Sequence, residues 1–330
     1  GVIGCNDHIN NNGDPENGID NPNPGTTEDD QPITVRVASL KGPTSIGLVG
    51  FMNQVETAPT KTPLASYEFN IYGTADEIVP QIVSGDIDIA LLPANIASVL
   101  YNRTNGGITA ININTLGVLY IVSADSSINT LADLSGRTVL MTGKGTTPDY
   151  VMQYLLKSAQ LTDKVTLEFK SEPTELAAAI NADPTAIALL PEPYVTAVCS
   201  KNYDLAPRIS LTDEWRLALN GGQLVTGVTI VRNAFLAEHP DIVKEFLAAQ
   251  NDSVNLVNRE NEEAARLTVK YGLIDSREIA RKAIPNCYLV CLTNEDLRVA
   301  LTIYLEVIYG VNPESVGGLV PGNNFFYRSE

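Results

Sequence analysis

The chain has 330 residues, 44% of them hydrophobic, and a formal net charge of −17. The length suits two lobes of about 100–150 residues rather than one small core. The charge argues against nucleic acid and against a basic membrane-surface patch, and no apolar run approaches the ~18 residues a membrane-spanning helix needs.

At the N-terminus, Val2-Ile3-Gly4-Cys5 resembles the end of a bacterial lipoprotein signal, where a small residue precedes a cysteine that is lipidated after cleavage. Cys5 is therefore expected to anchor the chain to the outer face of the cell membrane. In the stretch that follows, Asp7, Asp14, Glu16, Asp20, Glu28, Asp29 and Asp30 are offset by no Lys or Arg, and Asn, Gly and Pro are abundant. Such a segment has too little apolar surface to order itself, so residues 1–32 read as anchor and flexible tether.

The folded body begins at Ile33. Val35 and Val37 lie in a β-rich run, followed by the loop Lys41-Gly42-Pro43-Thr44-Ser45 and a helical period through Leu48, Met52 and Val55. Residues 67–72 read as a second strand. Thr74 and Glu77 have capping-box spacing ahead of the apolar face Ile78, Ile82 and Val83. Pro80 suits a helix interior poorly and moves the expected start later. Gly85 ends that helix, and residues 87–92 form a third strand closed by Pro93. Residues 116–122 are an apolar strand that joins two halves and crosses between lobes.

The same order then recurs. Residues 137–142 are a strand, followed by Gly143-Lys144-Gly145-Thr146-Thr147, with Thr147 as N-cap and Pro148 as first helical residue. Strands at 165–169 and 186–190 flank a short helix at 174–180. Ile89-Ala90-Leu91-Leu92-Pro93 and Ile187-Ala188-Leu189-Leu190-Pro191 are the same five letters, 47 residues after Gly42 and 42 residues after Gly145. Matching pentapeptide, loop and element order imply two related α/β lobes, each with a mostly parallel sheet. Ligands of such sheets bind beyond the carboxyl ends of the strands, where both Lys-Gly loops and both Leu-Pro ends lie.

Residues 223–231 form a β-rich run that brings the chain back. Helices follow from His239-Pro240-Asp241 through Val257, over residues 260–271, and from a cap at Asn294 to Gly310. They complete the first lobe, giving lobe one residues 33–118 plus 226–330 and lobe two residues 119–225.

Five stretches carry a likeness: Lys41-Gly42-Pro43-Thr44, Ser84-Gly85-Asp86-Ile87-Asp88-Ile89-Ala90, Asp133-Leu134-Ser135-Gly136-Arg137-Thr138-Val139, Pro191-Glu192-Pro193-Tyr194 and Phe235-Leu236-Ala237-Glu238-His239-Pro240. Through them the chain resembles the substrate-binding proteins of ABC importers in the nitrate, sulfonate and taurine group, also called NMT1/THI5-like. The resemblance implies a periplasmic binding protein-like type II fold, with two α/β lobes joined by two crossing strands and a ligand cleft between them. It implies capture of a small molecule by lobe closure and delivery to an ABC permease, by a monomer that needs no catalytic residue, cofactor or metal. Carried over residue by residue, ligand contacts fall on Lys41, Gly42, Pro43, Thr44 and Ser45, on Pro93, Ala94 and Asn95, on Gly145, Thr146 and Thr147, and on Glu192, Pro193 and Tyr194. Gly117 of the linking segment joins them. The sulfonate binders often carry Trp-Asp/Glu-Pro where this chain has Leu190-Pro191-Glu192-Pro193, so the ligand class stays open.

Lys41 and Lys144 each precede hydroxyls at a helix start, a pattern whose free N–H groups suit an anion, or a zwitterion if Glu192 faces the same cleft. Gly143-x-Gly145 lacks the rest of a nucleotide loop. The two histidines, His8 and His239, form no cluster. Cys199, Cys287 and Cys291 lack metal-ligand spacing and read as buried thiols; the alternative is a Cys287–Cys291 pair outside the cytoplasm, for which a regular helix would give poor geometry. Trp215 and Tyr194 suit packing as well as they suit a ligand platform. Two other functions fit the same residues: an enzyme on this fold, of the menaquinone-pathway kind, and a sensory binding protein.

Overall fold

A computed structural model describes residues 32–329. Cys5, the acidic tether and His8 lie outside the described residues. From Ile33 the elements are β1 (Ile33–Leu40), α1 (Pro43–Ile46), α2 (Val49–Thr57), β2 (Ala65–Tyr72), α3 (Ala75–Val83), β3 (Ile89–Pro93), α4 (Ala94–Arg103) and β4 (Ile108–Leu116). A second set follows: β5 (Leu119–Ser123), β6 (Thr138–Met141), α5 (Thr147–Ser158), β7 (Thr166–Phe169), α6 (Pro173–Ala182), β8 (Ile187–Pro191), α7 (Tyr194–Lys201), β9 (Ala206–Ser210) and α8 (Leu211–Ala218). The chain returns through β10 (Val225–Arg232), α9 (Asn233–Glu238), α10 (Pro240–Arg259), α11 (Asn261–Lys270), α12 (Arg277–Ala283), β11 (Leu289–Leu292) and α13 (Asn294–Val311).

Two mixed sheets result. One has the order β11-β4-β10-β3-β1-β2, the other β7-β6-β8-β5-β9. In the first, β1 is parallel to β2 and β3, while β10 runs antiparallel between β3 and β4. In the second, β6 is parallel to β7 and β8, while β5 runs antiparallel between β8 and β9. The second sheet is built from the consecutive strands β5–β9, the first from β1–β4 with the returning β10 and β11, and apart from the added β11 the two sheets share one strand order. The repeated pentapeptide occupies the equivalent strands β3 and β8, with the same pattern of four buried residues and a half-buried proline. Strands covered by helices on both faces need such continuous apolar runs.

The family-like stretch at residues 84–90 has a structural role. Asp88 is 2% exposed. Its carboxylate accepts from Arg36 on β1 and from Arg232 on β10, the latter at 2.6 Å, and from the Arg36 backbone N–H at 2.9 Å. Gly85, at φ 85°, turns its carbonyl to Arg36 Nη2 at 2.6 Å. One buried carboxylate so ties three neighbouring strands, and its charge is matched by two guanidinium groups.

Several local expectations change. The run at 116–122 is two strands, because Gly117 and Val118 take φ of 66° and 77° and break the ladder where the chain crosses between sheets. The helix containing Pro80 starts at Ala75 with the Thr74–Glu77 capping box formed. Pro80 and Asp76, whose carbonyl loses its helical partner, are both exposed, so the missing bond is not buried in the core. Thr146 rather than Thr147 is the N-cap of α5. Thr293 rather than Asn294 caps α13, since Asn294 takes φ 53° and accepts from the Ser329 N–H at 3.0 Å. Cys287 follows a 3₁₀ turn and Cys291 lies on β11, so neither is on a regular helix; all three cysteines are free thiols, but only Cys287 is buried, while Cys199 and Cys291 are half-buried.

Candidate ligand-binding cleft

Four loops leave the carboxyl ends of the strands. In the first, Lys41 is exposed and its backbone N–H donates to the Tyr72 carbonyl at 2.9 Å. Gly42 takes φ 140° and admits the single turn Pro43–Ile46. Thr44 Oγ1 donates to the Leu40 carbonyl at 3.1 Å, and buried Ser45 reaches Ser39 Oγ at 2.7 Å. Both hydroxyls therefore serve their own lobe. In the second, Pro93 ends β3, and buried Ala94 and Asn95 open α4.

The third loop opens α5. Gly145 donates its N–H to Asp149 Oδ2 at 2.9 Å, so the helix carries its own anion at its start. Thr146 Oγ1 donates to the Gly143 carbonyl. Lys144 lies over the Phe169 ring, 5.8 Å from its centroid. Thr147 Oγ1 donates to Asn95 Oδ1 at 3.0 Å, which joins this loop to the second across the two sheets. Asn95 in turn donates to the Ser315 carbonyl at 3.3 Å.

The fourth loop goes elsewhere. Glu192 is 2% exposed and accepts from the Thr196 N–H at 2.9 Å and the Thr196 hydroxyl at 2.8 Å. It lines a cavity of about 350 Å³ with Tyr120, Cys199, Lys282 and Asn286, which contains none of the residues of the other three loops. Burial raises the Glu192 pKa against the opposing Thr196 bonds. Pro193 is half-buried and Tyr194 exposed. A larger cavity, about 650 Å³, runs between α5 and α13 past Tyr154, Leu156 and Val307.

Gly117 sits where the two crossings touch. Its N–H donates to the Leu224 carbonyl at 2.9 Å and its carbonyl accepts from Thr226 Oγ1 at 2.7 Å. A Cβ there would stand 2.2 Å from Thr212 Oγ1. Next to it, Val118 is a β-branched residue held in the left-handed region, a strained position that its neighbours must enforce. The return crossing runs from Ser210 through α8 to Val225, so α8 begins at the cleft end of β9.

Trp215 meets Tyr304 at this seam, with Thr212 one turn away on its own helix. Trp215 on α8 lies between Tyr154 on α5 and Tyr304 on α13, with ring centroids 5.1 and 5.5 Å away. The side-chain polar atoms of Thr212, Trp215 and Tyr304 are buried with no hydrogen-bond partner. Leaving such a group unpaired costs about 1–3 kcal/mol. Tyr304 hides in the sequence because it falls on the same helix face as Leu297, Leu301 and Ile308. Its one signal is a hydroxyl in an otherwise apolar stripe.

Two sheets of shared strand order, joined by two crossings and with strand-end loops that meet at Asn95 and Thr147, have the periplasmic binding protein-like type II fold. Residues 61–247 match the family of ABC-transporter phosphonate periplasmic substrate-binding proteins, and the chain belongs to that family. Its members are solute-binding components of transport systems. The fold is similar to that of an ABC transporter protein from Parabacteroides distasonis, with 21% identity, TM-score 0.77 and coverage of 90% of this chain and 99% of that one. It is similar to the periplasmic aliphatic sulphonate binding protein SsuA from Escherichia coli, with 14% identity, TM-score 0.73 and coverage of 91% and 94%. A Candida albicans protein with the generic periplasmic binding protein fold matches at 15% identity and TM-score 0.57, over 90% of this chain and 99% of that one. No curated protein sequence matches the chain. Among the described residues no helix is long and apolar enough to cross a membrane, and no cluster of His, Cys, Asp and Glu suits a metal ion.

Proposed function

We propose that the chain is the extracytoplasmic solute-binding component of an ABC importer, which closes on a small molecule and delivers it to a membrane permease. Lobe one comprises residues 33–118 plus 226–330 and lobe two residues 119–225. The solute sits between them at the loops around Lys41–Ser45, Asn95 and Gly145–Thr147. The observation that carries this reading is the Thr147–Asn95 hydrogen bond, because it joins strand-end loops of the two sheets. Lobes that meet there enclose whatever lies between the loops.

The ligand is an oxyanion or a zwitterion bearing one. The family description names phosphonate, and one structural relative is named for aliphatic sulphonates. Placement in the NMT1/THI5-like branch rests on the five sequence stretches, and attachment through Cys5 on the residues that precede it. The protein works as a monomer and performs no catalysis.

Native mass spectrometry of protein purified without denaturation, followed by a thermal-shift panel, tests this. A co-purified small molecule, or stabilisation by methylphosphonate, ethanesulfonate or taurine, is expected. A ligand at a hundred times its Kd adds about 2.7 kcal/mol, enough to read as a shift in Tm. Stabilisation by neutral or purely cationic compounds alone would contradict the ligand class.

A further inference from the structure

Thr212 and Trp215 stand one turn apart on α8 and so share one face. Both are buried, and neither Thr212 Oγ1 nor Trp215 Nε1 has a protein partner. Opposite them Tyr304 on α13 is 0% exposed, and its hydroxyl is unpartnered as well. Two contacts put this trio at the cleft rather than deep in one lobe. Thr212 Oγ1 abuts Gly117 at the crossing. Tyr304 neighbours Thr147, without reaching hydrogen-bond geometry, and Thr147 holds Asn95.

The chemistry of the trio is specific. An indole N–H only donates, and unlike a hydroxyl it cannot rotate to find another partner. Buried donors in folded proteins are nearly always paired, so three unpaired polar groups along one seam call for a common partner. The seam lies where Trp215 on α8 of the second sheet meets Tyr304 on α13, and α13 packs on α4, β4 and β10 of the first. Thr212 and Trp215 reach this seam from α8 and Tyr304 from α13, on either side of the crossing at Gly117.

We infer that Trp215 and Tyr304 are specificity-determining residues of the solute site, each donating from its own lobe to an acceptor oxygen of the solute. This rests on the cleft reading above. Neutral donors accept a phosphonate, sulfonate or carboxylate oxygen and reject an ammonium group, which presents hydrogens of the same sign. Thr212, able to donate or accept, adjusts to whichever oxygen remains. A zwitterionic solute therefore lies with its acidic end toward Trp215 and its amine away from it.

The test is calorimetric titration of the full chain with methylphosphonate, ethanesulfonate and acetate. Trp215→Phe and Tyr304→Phe each keep an aromatic ring and delete one donor. Each is expected to raise the Kd of the tightest probe about tenfold or more, as loss of a hydrogen bond to a charged group does. Tyr304→Phe should leave the solute-free melting temperature unchanged or higher, since it removes an unpaired buried hydroxyl. It decides the matter if Trp215→Phe, which also loses packing volume, fails to fold. Wild-type binding matched by both variants would overturn the inference and leave the cleft reading intact. A wild type that takes up none of the three probes would overturn the inference together with the ligand class.

Discussion

Thr147 on α5 donates a hydrogen bond from its hydroxyl to Asn95 Oδ1 on α4 at 3.0 Å, and so fastens the strand-end loops of the two sheets. A hydrogen bond of this kind contributes about 1 kcal/mol net, or roughly a fivefold bias toward the closed arrangement. Thr147→Val, which removes the donor at constant volume, is expected to enlarge the radius of gyration of the solute-free protein. Trp215, the sole tryptophan, is fully buried at the seam, so its emission should shift to the red in the same variant. An unchanged scattering profile and unchanged emission would show that the bond does not hold the lobes.

Gly117 carries both a left-handed backbone and a steric constraint. Gly117→Ala is expected to destabilise by about 2–4 kcal/mol, combining φ strain with a clash against Thr212. Gly136 has a similar φ of 76° but nothing within 4 Å of an added Cβ. Gly136→Ala should therefore cost only the backbone part, about 1 kcal/mol. Urea unfolding of both variants separates the two effects, and equal losses would contradict the steric account.

Asp88 is the charge that ties β1, β3 and β10. Removing one partner of a buried pair costs about 3–5 kcal/mol, reduced here to about 2–3 because Arg36 is partly exposed. Asp88→Ala is expected to lose that much in denaturant unfolding. Glu278→Ala, which breaks the exposed Glu278–Lys282 pair, should change stability by less than about 0.5 kcal/mol.

The buried carboxyl of Glu192 gives a pH signature. Burial raises its pKa above the ordinary 4.5, so the folded protein holds this proton more tightly than the unfolded chain. Its contribution is present below pH ~4.5, falls as pH rises through the folded pKa, and stays reduced above it. Glu192→Gln removes the loss and keeps an acceptor for Thr196. The variant should be more stable than the wild type at neutral pH and no more stable at pH 4, as read by thermal melts. An advantage independent of pH would contradict the burial argument.

The sequence made the repeated strands legible because their surroundings are apolar on both faces, and an apolar pentapeptide leaves a visible mark twice. β4 left no such mark. Its Asn112 and Asn114 look like loop residues, yet both are buried, bonded to Gln250 at 2.7 Å and to Thr229 at 3.0 Å. That compensation comes from α10 and β10, over a hundred residues away, and no local pattern announces it. The caps of α5 and α13 slipped by one residue because adjacent Thr-Thr and Thr-Asn pairs offer the same oxygen twice. At the cleft, Asn95 and Thr147 follow from the family resemblance together with their place in strand-end loops. Their mutual contact was not legible, nor was the turning of Glu192 into a separate cavity, since both depend on how the two sheets face. Thr212 and Tyr304 were hidden because their side chains enter apolar faces.

The proposed solute site lies between the two lobes at the strand-end loops. The most direct measurement is a crystal structure of the protein with its co-purified solute or with added methylphosphonate. The solute is expected between the loops that carry Asn95 and Thr147, with Trp215 Nε1 and the Tyr304 hydroxyl toward its oxygens. A solute found instead in the cavity between α5 and α13, or beside Glu192 alone, would contradict it.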